Sequence, residues 1–257
     1  PSGQPSSQPT RVPTAQPSGE PSAQPTGQPS SEPSSAPTAA PSAEPILIPA
    51  SLGAAAKFVV LADSLLSASA ASVETQTGIV GLASSSAFVN PAFFSIPPGS
   101  TRINENTAKE ASIDLAAAIA DISSRNLPPA FEFASPVDVV TSGSFTYGIY
   151  RAAGDLALSG DIEFDAEGNR FAIFIVQVGG ALTVAPGTRV VLLNAALPPN
   201  LYWQVSGSVS VGERCSFAGS IMASGDVSVG KDFELQGQVL GEGRVNFDGG
   251  ATVLSLT

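Results

Sequence analysis

Hydrophobic and polar residues alternate strictly in four short stretches, residues 181–184, 208–211, 226–229 and 244–247. Leucine, valine or phenylalanine occupies one side of each stretch, and small or polar residues occupy the other. Period-two alternation of this kind predicts a strand with one buried and one solvated face. The stretches themselves recur. An offset of 18 residues brings Gly207 onto Gly225 and Gly243, Val209 onto Val227 and Val245, and Val211 onto Val229 and Phe247. Phe217 falls on Leu235, Gly219 on Gly237, Ile221 on Val239 and Met222 on Leu240 at the same offset. One upstream unit, at 181–184, precedes its successor by 27 residues, and a loop at Pro198 and Pro199 absorbs the difference. Fixed-period self-similarity built from short β-favouring runs marks a solenoid, in which each repeat buries its apolar face only by stacking on the next. Eighteen residues suit three strands and three corners. The pattern therefore predicts a mainly β protein, a parallel β-helix of triangular section with rungs ~4.8 Å apart.

A second pattern identifies which side of the triangle is covered. Phe171 to Val176, Leu201 to Trp203 and Ile221 to Ala223 are apolar at successive positions, as expected of strands buried on both faces. Residues 107–125 supply the cover. Thr107 and Glu110 have capping-box spacing, Ala111, Leu115, Ile119 and Ile122 follow at helical spacing, and Asn126 with Pro128 and Pro129 stops the run. This predicts one α-helix lying along the doubly apolar side while the alternating side stays open. Residues 83–106, with Pro91, Pro97, Pro98 and Gly99, read as an irregular excursion in which Phe88, Phe93 and Phe94 plug one end of the solenoid.

Composition divides the chain in two. Prolines stand at every fourth position from Pro1 to Pro45, 12 of the chain's 22. This spacing forbids helix and favours extended chain, and the intervening Ser, Thr and Gln have nothing to bury. Residues 1–45 are predicted to be a disordered stalk, comparable in composition to O-glycosylated extracellular stalks, and 46–257 the folded domain. A chain beginning at Pro1 without an initiator Met reads as a mature or trimmed product.

Charge and chemistry then remove function classes. The net charge of -11 lies mostly in the domain and disfavours nucleic acid and anionic membranes as partners. No apolar run approaches membrane-spanning length. There is no histidine and a single cysteine, Cys215, which removes Ser-His-Asp and Cys-His chemistry and most zinc sites. Cys215 reads as a small structural residue at a strand end. Asp161, Glu163 and Asp165 alternate like the first ligands of a calcium loop, but Ala166 and Ala172 stand where that loop needs glycine and glutamate. They read as a solvated strand edge, and no metal or other cofactor is expected.

Several segments in order carry a family resemblance: Phe58 to Ala62, Gly148-Ile149-Tyr150, Leu156 to Gly160, Phe174 to Val178, Trp203-Gln204-Val205, Gly219 to Ala223 and Gly237 to Leu240. Together, from about residue 50 to the C-terminus, the chain resembles the microbial ice-binding (antifreeze) family. The resemblance implies a discontinuous right-handed β-solenoid with a lateral helix, and an ice-binding surface on the open side formed by the strand after each doubly apolar one. Carried onto this chain, the outward pairs are Leu65 and Ser67, Asp155 and Ala157, Ala181 and Thr183, Ser208 and Ser210, Asp226 and Ser228, and Arg244 and Asn246. The alternation described first selects the last four pairs independently. The chain departs from a Thr, Ser and Ala surface at Asp155, Asp226, Arg244 and Leu65, which predicts weakened activity because charged groups hold their own hydration. The implied partner is the ice surface, met by a secreted, non-catalytic monomer. The stalk offers a tether to a cell surface, wall or glycan. The competing expectations are a stalked adhesin or wall protein, favoured by a grooved face with aromatic residues, and a polysaccharide-acting enzyme built on the acidic run.

Overall fold

The computed structural model describes residues 47–69, 73–75, 78–84, 88–125, 131–133 and 137–254. The Pro-rich tract to Pro45 and the helix stop at Asn126, Pro128 and Pro129 lie outside them.

All strands join one continuous parallel sheet wound into a three-faced solenoid. The first face stacks, in spatial order, Phe131–Phe133, Gly148–Ala152, Phe174–Val178, Leu201–Val205, residues 220–223, residues 238–241, Phe58–Ala62, Ile79–Leu82 and Thr101–Ile103. Phe58–Ala62 pairs with residues 239–241, so the N-terminal rungs sit on the C-terminal end of the stack. The solenoid is therefore discontinuous in sequence. After Thr101–Ile103 the chain must return to the far end, eight rung spacings or about 38 Å away. The helix Asn106–Ser124 (α1) makes most of that return, since 19 residues at ~1.5 Å each reach about 28 Å.

Two apolar clusters account for the folding of these segments. The interior holds Val176, Val178, Val205, Val209, Val227, Val239, Val245 and their equivalents from all three faces. A line of aromatic rings threads it, Phe145, Phe164, Trp203, Phe217 and Phe233, with successive centroids 4.8–6.4 Å apart. The buried Trp203 indole donates to the Ala218 carbonyl at 3.0 Å. The second cluster lies between α1 and the first face, where Ala108, Ala111, Leu115, Ala118, Ile119 and Ile122 meet Ile149, Ile175, Tyr202, Met222 and Leu240. Small residues on α1 allow the close approach. Each fully buried leucine or isoleucine there contributes about 1.5–3 kcal/mol. Polar groups of the first face are satisfied by the cover itself: Gln177 donates to the Ile122 carbonyl at 2.6 Å, and Arg151 to the Arg125 carbonyl at 3.0 Å. A cation at the carboxyl end of α1 also suits the helix dipole.

Three features differ from the sequence expectation. The helix begins at Asn106 with Glu105 as its N-cap, and no side-chain bond caps it, so the Thr107 and Glu110 box does not form. Phe171 is 77% exposed in a turn, because the strand begins only at Phe174; the doubly buried run is Ala172 to Val178. Segment 83–106 is more regular than expected. Phe88–Val89, Phe94–Ser95 and Thr101–Ile103 pair with Leu65–Ala68, Val73–Thr75 and Ile79–Leu82 and continue the solenoid by a partial rung. A terminal rung bonds on one side only, so its prolines fall at turns where no partner awaits an N–H. Phe88, Phe93 and Phe94 pack on the interior at that end, with the Phe94 ring 6.1 Å from that of Phe247.

Candidate functional site

The second face is the open one predicted from alternation. Its strands stack as residues 137–141, residues 155–159, Leu182–Val184, Val209–Val211, Val227–Val229, Arg244–Phe247, Leu65–Ala68 and Phe88–Val89. From residues 155–159 through Leu65–Ala68 every second residue is buried, and those between them point out. The parallel register places Ala157, Thr183, Ser210, Ser228, Asn246, Ser67 and Val89 one above another without a break. This column contains no charge. Thr183, Ser210, Ser228 and Val89 are exposed, and the Ser67 hydroxyl donates to Asn246 Oδ1 at 2.8 Å.

A neighbouring column carries the charged positions. It runs Asp155, Ala181, Ser208, Asp226, Arg244 and Leu65, all exposed or half-buried, with Leu65 in register with Arg244. The two aspartates do not simply project into water. Asp155 Oδ1 accepts the Ala181 backbone N–H at 2.7 Å, and Asp226 Oδ1 accepts that of Arg244 at 2.8 Å. Beside this column the glycines Gly207 and Gly225 recur because a Cβ there would lie 2.6–2.7 Å from a carbonyl oxygen of the preceding rung. The repeat found in the sequence is thus a steric condition of close rung stacking.

On the other flank of the uncharged column stands a third, absent from the sequence-derived set. Ser159 donates to Thr141 Oγ1 at 3.1 Å, and Ser69 donates to Asp248 Oδ1 at 2.9 Å. Extending the alternation by one more step would have found Ser159 and Ser69. Val89 carried no such signal, since it follows Ser67 by 22 residues and lies among prolines.

The third face differs in kind. Its outward column reads Asp161, Arg189, Ser216, Glu234, Thr252, Glu74 and Ser95. Arg189 binds Asp161 through two bonds of 2.9 and 2.6 Å, and this exposed pair holds the Asp161 carboxyl below the usual aspartate range. Asp165 is engaged by Asn194 at 2.8–2.9 Å and accepts the Glu167 N–H at 2.7 Å. The run Asp161, Glu163 and Asp165 is therefore the half-exposed side of a strand that is paired along both edges, and its two aspartates have local partners. Cys215 is buried at the start of a strand, with its thiol 3.2 Å from the Ala185 carbonyl, and burial pushes that thiol up. Among the described outward residues of the second face none is aromatic, so the feature that would favour a sugar-binding adhesin is lacking there.

Known proteins resemble this chain over the same region. The Ice-binding-like family model matches residues 51–253, and a model described as a PT disordered repeat matches residues 1–46. Ice-binding protein 1 of Shewanella frigidimarina is 38% identical over 82 residues, 31% of this chain and 9% of that protein. An ice-binding protein of Nostoc is 30% identical over 172 residues, 67% of this chain and 61% of that protein. The chain thus spans less than two thirds of the length of either relative. Among solved structures, an ice-binding protein from an Antarctic biological consortium superposes with TM-score 0.71 at 32% identity, over 81% of this chain and 91% of that one. The ice-binding protein of Antarctomyces psychrotrophicus has the same fold, with TM-score 0.70 at 21% identity over 81% and 98% of the two chains. A family match spanning nearly the whole solenoid, on a fold shared with those structures, means that this chain belongs to the ice-binding-like family.

Proposed function

We propose that this protein adsorbs to ice through its second face and thereby inhibits ice growth and recrystallisation. The observation that carries the reading is the uncharged column Ala157, Thr183, Ser210, Ser228, Asn246, Ser67 and Val89, held in unbroken parallel register. A single hydroxyl or methyl gains almost nothing against competing liquid water, because it exchanges one hydration contact for another. An array changes the balance. Once the first contact is made, each further one is intramolecular, and a sheet that is already rigid has little ordering left to lose. The third face lacks this property, since Asp161, Arg189, Glu234 and Glu74 interrupt its column and charged groups resist giving up their water.

The same reading makes the protein a non-catalytic monomer that acts outside the cell. It is supported by the Pro-rich repeat of residues 1–46, by the lack of histidine and by the ice-binding proteins to which the chain is similar. Ice-recrystallisation inhibition and crystal shaping by the full chain, beside Thr183→Tyr and Ser210→Tyr variants, test it. Both residues are exposed, so each substitution should abolish activity and shift Tm by no more than about 2 °C. Tyrosine variants as active as the wild type would show that ice is met elsewhere.

A further inference from the structure

We infer that Asp155 and Asp226 are positioning residues of the second face, and that contact with ice falls to the uncharged column beside them; the inference rests on the ice reading for its second half only. Both aspartates stand where the resemblance would place ice contacts, and there a carboxylate is a poor choice because of its hydration. Their geometry gives them another task. Each reaches along the solenoid axis to the next rung, where its Oδ1 accepts a backbone N–H, of Ala181 at 2.7 Å and of Arg244 at 2.8 Å.

The reason that such a bond is needed can be read from the backbone around Ala181. The Gly180 N–H donates back to the Gly154 carbonyl at 2.9 Å, whereas the Leu182 N–H donates forward to the Ser208 carbonyl at 2.9 Å. The chain changes its bonding direction between these residues. The Ala181 N–H lies at that change and takes the Asp155 carboxylate as its acceptor. An ionised acceptor makes this bond stronger than a neutral one. Glycine makes room for it on both rungs: a Cβ at Gly180 or Gly243 would fall onto the carboxylate oxygen of Asp155 or Asp226. Two aspartates, each with a glycine and a donor N–H in the following rung, thus repeat one local motif at separate heights. The strands that follow these contacts carry Thr183 and Asn246, both members of the uncharged column. Fixing Ala181 and Arg244 fixes the start of those strands and hence the level of the column.

The role predicts rescue by asparagine, whose amide oxygen can accept the same bond without charge. Amide hydrogen exchange at Ala181 and Arg244 and ice-recrystallisation inhibition should be measured on the full chain, comparing the wild type, Asp155→Asn with Asp226→Asn, and Asp155→Ala with Asp226→Ala. In the alanine pair, exchange at both amides is expected to quicken about tenfold and inhibition to weaken about fivefold, while the asparagine pair stays within about twofold of the wild type on both readouts. Raised inhibition in both pairs with unchanged exchange would overturn the inference, because the carboxylates would then act only as hydrated charges. Alanine variants indistinguishable from the wild type would also overturn it. A wild type without any effect on ice would sink the ice reading itself, and the exchange comparison would still decide whether the aspartates position the rungs.

Discussion

Arg244 shows how much one residue of the second face can matter. It is exposed in the column beside the uncharged one, and its backbone N–H is held by Asp226. Its side chain brings a hydrated cation beside the uncharged column of hydroxyls and small groups. Arg244→Ser is expected to strengthen ice-recrystallisation inhibition about fivefold, the equivalent of ~1 kcal/mol of hydration no longer lost on adsorption. An unchanged endpoint concentration would place Arg244 outside the contact. Inside the stack the decisive residues are glycines. A Cβ on Gly237 would fall onto the Gly219 carbonyl oxygen and lie 2.7 Å from its carbon, so the backbone itself would have to move. Gly237→Ala should cost about 3 kcal/mol and lower Tm by about 9 °C, measurable by calorimetry; a loss below ~1 kcal/mol would show that the rungs can part locally. Arg214 has the opposite relation to glycine. Its φ of 55° lies in the same left-handed region as those of Gly187 and Gly250, which occupy the equivalent corner three rungs apart from one another, with Arg214 and Asp232 between them. Arg214→Gly should be neutral or stabilising by up to about 1 kcal/mol, because the left-handed strain disappears. Four outward pairs of the second face, from Ala181 and Thr183 to Arg244 and Asn246, were legible because alternation assigns a side to each residue of a strand. The aspartate contacts were not, since they join residues 26 and 18 positions apart through side-chain atoms.

At the scale of elements, α1 is held by its apolar stripe more than by its caps. Leu115 is fully buried between the helix and the first face, and no side chain caps the helix N-terminus. Leu115→Ala should therefore destabilise the protein by about 3 kcal/mol while leaving its ice activity at low temperature unchanged, because the second face lies elsewhere on the solenoid. Loss of activity in a folded variant would mean that α1 does more than cover. The helix could be read to within a residue at either end, since helical spacing over 19 positions is a strong signal. The partial rung of Phe88–Val89, Phe94–Ser95 and Thr101–Ile103 was hidden for the converse reason. Strands of two or three residues show no alternation, and only their neighbours in the stack define them.

For the whole molecule, titration sets the limits of stability. Tyr150, Tyr202 and Cys215 all have pKa values raised, in each case chiefly by burial. The folded protein thus holds these protons longer than the unfolded chain does. Their contribution is complete below the ordinary thiol and phenol values of 9.0 and 10.0 and is lost as pH rises through the higher folded values. Asp161 shifts the other way, through its hydrogen bonds to Arg189, so its small contribution is present above 3.8 and is lost as pH falls through a lower value. With no histidine, the chain lacks the one side-chain type whose ordinary pKa falls between about 5 and 8. Thermal stability and ice activity should both be flat across that window, with stability falling from about pH 9 upward. A midpoint near pH 6.5 in either measurement would contradict this. Discontinuity is the other property of this scale: residues 58–103 close the end of the stack left open by residues 238–254, so the strand Phe58–Ala62 has neighbours on both sides.

The sequence by itself determined the solenoid, its covered and open sides and the outward residues of the four alternating stretches. These follow from periods of 2, 3.6 and 18 residues, and a period is a property of order along the chain. Only the tertiary structure decided that the N-terminal rungs stack on the C-terminal end, that Phe88–Val89 extends the open face, and that Asp155 and Asp226 bind the backbone of the rung beyond them. The physical reason is common to all three. Each depends on which strand edge or N–H meets which partner across the stack, and a pairing between segments distant in sequence leaves no periodic mark in either of them.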